Sequence, residues 1–168
     1  MKTVILRYPE LAGVLLGLLD AVPRLVAAAV YAPSEASIHG WLLLGNGHHL
    51  NGPKGLGLHT LQWFGVAAVF LLLFYVSVQA TVVLLRPVNG WFLVARGALG
   101  AVAGVLLLNV LESLASGKVT DYIGWVIGTR FTAINLGDLL VWCALPVFLA
   151  SFVIGLALRL LQAAPARA

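Results

Sequence analysis

The amino-acid sequence predicts an all-α integral membrane protein, a bundle of four transmembrane helices with an irregular or small β platform on its outer face and both termini cytoplasmic. Three observations lead there. Hydrophobic residues occupy 61% of the 168 positions and charged residues only 10%, with a mean hydropathy of +1.02, whereas an ordinary soluble domain carries roughly a quarter charged residues. The apolar residues fall into four long runs, each near the ~20 residues that a helix needs to cross the hydrocarbon core. The basic residues are shared unequally between the ends of those runs.

Four spans are expected, at about residues 11–31, 61–85, 91–115 and 135–161, and the whole chain, 1–168, is read as a single membrane domain. Lys2 and Arg7 followed by Leu11–Leu19 imitate a cleavable secretory signal. Asp20 and Arg24 interrupt the apolar run where such a signal is uniformly apolar, so this segment is read as a retained first span. Pro23 and Pro146 predict bends in the first and fourth spans, because proline removes a ladder hydrogen bond and its ring collides with the preceding turn. Gly97, Gly100 and Gly104 predict close packing of the third span against a neighbour.

Arg86-Pro-Val-Asn-Gly90 reads as a tight turn between antiparallel helices. The connection Trp41–His59 contains five glycines and Pro53, a composition that favours bent backbone or a short β platform over helix. Lys2, Arg7, Arg86, Arg96, Arg159 and Arg167 fall on one side of the predicted membrane, and Lys54, Lys118 and Arg130 on the other. Since cytoplasmic segments carry the excess of Lys and Arg, residues of about 32–60 and 116–134 are expected outside. Trp41, Trp63, Trp91 and Trp125 then fall near the interfaces, where indole rings anchor helices.

Composition also excludes functions. The net charge of +4 comes from basic residues scattered singly, without the patch or stripe that binds nucleic acid. The single Cys143 excludes an internal disulfide and a thiolate-rich metal site. His39, His48, His49 and His59 lack the spacing and carboxylate partners of a metal site, so no metal is expected. One polar cluster among four short spans offers no continuous hydrophilic stripe for a channel.

The polar residues inside the spans carry the functional signal, because an ionisable group there is costly and demands a partner or a use. Asp20 and Arg24 are four apart and share one helix face, where they can neutralise each other. Asn109 and Glu112, three apart, likewise share one face near the outer end of the third span, where interhelical hydrogen bonding is the ordinary use of an Asn. Asp121 follows in Val-Thr-Asp-Tyr-Ile, beyond the third span. Asp138, in Asn135-Leu-Gly-Asp138, sits at the outer start of the fourth, where a carboxylate suits the positive end of the helix dipole. The expected topology brings Asn109, Glu112, Asp121, Asn135 and Asp138 to one membrane face. Two carboxylates in a partly desolvated cleft do not both ionise easily, and a dyad holding one proton is the machinery of aspartic proteolysis. Capping by Asp138 and a solvated loop at Asp121 are the alternative on spacing alone.

At these residues the chain resembles signal peptidase II, which combines four transmembrane helices with two catalytic aspartates, one in a Val-x-Asp-Phe/Tyr-Ile segment and one in Asn-x-Ala-Asp. Val119-Thr120-Asp121-Tyr122-Ile123 matches the first and Asn135-Leu136-Gly137-Asp138 the second. The family's Asp-x-x-x-Lys on the first helix corresponds to Asp20 and Arg24. Its Gly-Asn-x-x-Asp-Arg on the third corresponds loosely to Leu108, Asn109, Glu112 and Ser113. The resemblance implies cleavage of lipid-modified prolipoproteins before the lipidated cysteine at a bacterial-type inner membrane, without cofactor. Asp121 and Asp138 would be catalytic, and Asp20, Arg24, Asn51, Asn109, Glu112 and Asn135 supporting or substrate-binding. Membrane lipids and a diacylglyceryl-modified prolipoprotein are the implied partners.

The departures are Arg24 for Lys, Glu112 for Asp, Ser113 for Arg, and an imperfect outer-loop Asn-x-Gly at Asn51–Gly55, with Pro53 at the expected glycine. A diverged member that serves as a non-enzymatic subunit or assembly factor of a larger membrane complex is the competing expectation.

Overall fold

A computed structural model of the chain describes residues 8–33, 35–39, 42–49, 60–86, 89–127 and 130–163. Trp41, the side chain of Trp63, the loop residues 50–59 with Asn51, Pro53, Lys54 and His59, the turn residues 87–88 and the tail from 164 lie outside that description.

The first span is two helical pieces, α1 (Pro9–Leu18) and α2 (Ala21–Val30). Pro9 starts α1, at a position whose missing N–H has no intrahelical partner to lose. Pro23 disturbs the helix one turn earlier than its own position, because the bond it cannot donate is the one to Leu19. The Leu19 carbonyl instead accepts from the Val22 N–H at 3.1 Å, and Leu19 and Asp20 keep right-handed helical dihedrals. Together the pieces make one membrane-length rod, Pro9–Val30. The first span, expected over 11–31 with a bend from Pro23, thus starts two residues earlier and is interrupted at Leu19 and Asp20, one turn before the proline.

The other spans are α3 (Thr60–Leu85), α4 (Asn89–Ser116) and α5 (Leu136–Ala163), each within about two residues of expectation. Helix α5 runs through Pro146 as one element. Among the described residues, four helical segments are therefore long and apolar enough to cross a membrane. Helix α4 is the centre of the bundle: 39% of its apolar stretch is buried, against 11% for α3.

In lipid the surroundings are as apolar as the helices, so association depends on close van der Waals fit, and small residues permit it. Gly13 and Gly17 lie one turn apart on the face of α1 that meets α4. A Cβ on Gly17 would stand 2.6 Å from both Ala101 O and Val105 N, and one on Gly13 the same distance from Ala101 N. Reciprocally, Cβ atoms on Gly100 and Gly104 would strike the backbone at Glu10 and Val14. Gly97 contributes differently: its carbonyl is what Gly13 approaches, while a Cβ of its own would meet Pro9 O only at 3.8 Å. Glu10 and Arg96 pair at 2.5 Å beside this contact, and the Arg96 guanidinium lies 4.8 Å from the centre of the Phe92 ring.

The opposite end carries a four-stranded antiparallel sheet in the order β1 (Ala36–His39), β2 (Leu42–His49), β3 (Val119–Ile127), β4 (Arg130–Ile134). The sequence reading confined β structure to the loop after the first span. The connection after α4 is in fact a β hairpin, and its β-branched and aromatic residues, Val119, Thr120, Tyr122, Ile123, Trp125, Val126 and Ile127, suit a pleated surface. Helix α4 stops at Gly117, whose φ of +73° is the left-handed conformation of a helix terminus and whose N–H closes on Ser113 O at 2.8 Å. On β2 the register slips by one residue between Leu44 and Gly47, a bulge. There Asn46 donates its backbone N–H to Glu35 O and its side-chain amide to Tyr31 O, tying the sheet to the end of α2.

Candidate active site

The polar residues singled out in the sequence meet where the sheet sits on the bundle. Strand β3 brings Asp121 into the interior: it is 4% exposed, between Thr120 at 7% and Tyr122 at 8%. These values replace the alternative of a solvated loop with a buried carboxylate on a strand. Gly47 of β2 is its register partner.

Asn135 joins the two aspartates. It is fully buried and caps α5: its Oδ1 accepts the Asp138 N–H at 2.9 Å, and its own N–H donates to Asp138 Oδ2 at 3.3 Å. This reciprocal arrangement is a capping box, with Asp at the third helical position. The Asn135 amide nitrogen then donates to Asp121 Oδ1 at 3.2 Å. Both carboxylates are thus held by one asparagine, Asp121 buried and Asp138 half-buried.

A second group centres on Arg24. Its Nε and Nη2 bond Asp20 Oδ2 at 2.8 and 2.5 Å, its Nη2 also reaches Asn109 Oδ1 at 2.6 Å, and its Nη1 pairs with Glu112. The expected pairing on the first span is present, and the expected pair on the third span converges on the same guanidinium. Arg24 and Asp20 are each 5% exposed. Glu112 turns its other oxygen to Thr120, accepting from Oγ1 at 2.5 Å and from N–H at 3.2 Å. Asp20 turns its other oxygen to the Tyr122 hydroxyl at 2.5 Å, and that hydroxyl accepts the Leu136 N–H at 2.9 Å. Burial, and then the hydrogen bond to Asp20, push the Tyr122 hydroxyl above the ordinary tyrosine range, so it remains a donor.

Thr120, Tyr122 and Gly137 complete the site and were not singled out from sequence. Gly137 packs against it so closely that a Cβ would lie 2.7 Å from Val105 Cγ1, 2.8 Å from Asp20 Oδ2 and 2.9 Å from Asn135 Oδ1. Ser113, where the resembled family carries Arg, is 4% exposed, and Arg24 is the cation that touches the cluster among the described residues. Asn51 falls outside the description. His39 sits in β1, and no group of three or more potential metal ligands occurs among the described residues.

Two solved structures, each described as a bacterial membrane enzyme structure obtained by the in meso method, at 1.9 and 2.3 Å resolution, share this fold. Both align with a TM-score of 0.56 at 15% identity. The first alignment covers 85% of this chain and 90% of that one, the second 95% and 93%. No protein-family profile matches the chain, and no curated protein matches it. The fold, four apolar helices with a small antiparallel sheet, is therefore one that a bacterial membrane enzyme also adopts.

Proposed function

We propose that the chain is a multi-pass membrane aspartic endopeptidase that removes the signal peptide from diacylglyceryl-modified prolipoproteins, with Asp121 and Asp138 as its catalytic dyad. The observation that carries this reading is the shared grip of Asn135 on both carboxylates at the sheet-bearing end of the bundle. The resemblance in Val119–Ile123 and Asn135–Asp138 supplies the substrate class.

Two acidic groups in one partly desolvated site favour a single shared proton. The ionised member takes a proton from water while the water oxygen bonds to the scissile carbonyl carbon. The protonated member gives its proton to the carbonyl oxygen. The tetrahedral intermediate collapses with cleavage of the C–N bond: the leaving amine takes the proton that came from water, and the hydroxyl formed from the carbonyl returns its proton to the other carboxyl, which restores the singly protonated dyad. The sheet would support the extended substrate, and the exposed apolar faces of the helices would meet its acyl chains and the membrane lipids. On the basic-residue bias this end faces the periplasm and both termini the cytoplasm.

The test is cleavage of a lipidated prolipoprotein by detergent-reconstituted wild type, Asp121→Asn and Asp138→Asn at matched folding. Cleavage by the wild type and loss in both variants is the expected result, a fall of about 10²–10⁴-fold, the usual contribution of a positioned acid or base. A wild type inactive across several lipoprotein substrates would overturn the reading in favour of a non-enzymatic subunit, to be sought by co-purification of its complex.

A further inference from the structure

We propose that Arg24, with the two carboxylates it binds, forms a clamp that positions Asp121 through its chain neighbours Thr120 and Tyr122; the inference rests on the peptidase reading of the same site. Successive side chains on a strand point to opposite faces, so the direction of one is fixed when the residues on either side are held from behind. Asp121 turns to Asn135, while both of its neighbours are hydrogen-bonded into the helices.

The clamp is built symmetrically. Asp20 gives Oδ2 to Arg24 and Oδ1 to the Tyr122 hydroxyl. Glu112 gives Oε2 to Arg24 and Oε1 to Thr120, where it receives both the hydroxyl and the backbone N–H. One guanidinium therefore sets the spacing of two jaws, one from the first span and one from α4, on either side of Asp121. The Tyr122 hydroxyl adds a link to the second aspartate, because the Leu136 N–H that it accepts opens the helix bearing Asp138.

This arrangement gives the two departures at 24 and 112 a joint reading. A planar fork of donors can hold Asp20, Asn109 and Glu112 together in a defined geometry, which the point charge of Lys does less well. The longer Glu side chain spans from Arg24 to the strand. Thr120 and Tyr122 are thus positioning residues, acting on the dyad through the backbone and through Asp20 and Glu112.

Neutralisation of buried charge alone would need the Arg24 pairs but not the two hydroxyls, so the hydroxyls decide the matter. Tyr122→Phe and Thr120→Val should each lower kcat by about tenfold, the equivalent of ~1.4 kcal/mol in the barrier, with KM unchanged and the acid limb of the pH–rate profile displaced. Thr120→Ser, which keeps the hydroxyl, should restore kcat. Independently of turnover, Tyr122→Phe should accelerate hydrogen exchange at the Leu136 amide and move the carbon-13 chemical shift of the Asp121 carboxyl in micelles. If the wild type cleaves but both hydroxyl variants keep its kcat and pH profile, the clamp is overturned and the dyad stands. An inactive wild type sinks the peptidase reading instead; exchange at Leu136 and a carbon-13 shift of Asp121 that are both unchanged in Tyr122→Phe would then sink the clamp separately.

Discussion

Replacing Gly137 by alanine adds one methyl group at the most crowded point of the site. The new Cβ would meet Val105 Cγ1 at 2.7 Å, Asp20 Oδ2 at 2.8 Å and Asn135 Oδ1 at 2.9 Å, where ordinary contacts begin at 3.4 Å. Each neighbour must give way by about half an ångström or more, and none is the loose end of a flexible chain. Val105 is fully buried, Asp20 Oδ2 holds two bonds from Arg24, and Asn135 Oδ1 caps α5. Overpacking of this kind costs about 1–3 kcal/mol, and weakening the cap or an Asp20 bond adds about 1 kcal/mol. The gain in helix propensity from Gly to Ala offsets less than ~1 kcal/mol. The expected net loss is ~2–3 kcal/mol, read from equilibrium unfolding in mixed micelles titrated with SDS. Gly65→Ala is the comparator, since nothing lies within 4 Å of its Cβ position. The expectation runs against the resemblance, whose motif has alanine here, so restoring the motif should harm the protein. Gly137→Ala within ~0.5 kcal/mol of the wild type would refute the packing argument. Combining it with Arg24→Lys, which frees Asp20 to move, should cost less than the two changes added.

Two further outcomes are expected. Glu10→Gln or Arg96→Gln leaves a largely buried charge without its partner, with side-chain exposures of 15% and 11%, and each should cost about 3 kcal/mol in the same unfolding assay. The double substitution should recover most of that loss, and a double that is no better than either single would show that the pair is not coupled. The second outcome concerns alkaline pH. The Tyr122 hydroxyl titrates above its ordinary value of 10.0 in the folded chain, so above pH ~10 the unfolded chain loses a proton that the folded chain keeps. Its contribution to stability is full below pH ~10 and declines above it by up to ~1.4 kcal/mol per pH unit until the folded hydroxyl ionises. Unfolding midpoints between pH 9 and 11 should therefore fall less steeply in Tyr122→Phe, and parallel slopes would contradict the buried hydroxyl.

The sequence by itself determined what depends on local periodicity and solvent. Long apolar runs have one stable use, so the four membrane-length helices were legible to within about two residues at most ends. The pairing of Asp20 with Arg24, the common face of Asn109 and Glu112 and the cap at Asp138 follow from helical spacings of three and four. The expected topology placed Asp121 on the same membrane face as Asp138, and the resemblance gave the two a joint role. Tertiary structure alone decided how these pieces meet. The contacts of Arg24 with Glu112 and of Tyr122 with Asp20 cross 88 and 102 residues, separations at which no periodicity speaks. The hairpin of β3 and β4 was unread because β3 takes its pattern from pairing with β2 and from burial against the bundle, and β4 from pairing with β3, which no short stretch of chain encodes. For the same reason Thr120, Tyr122 and Gly137 were no more than neighbours of the two aspartates in their motifs until the helices and sheet closed around them.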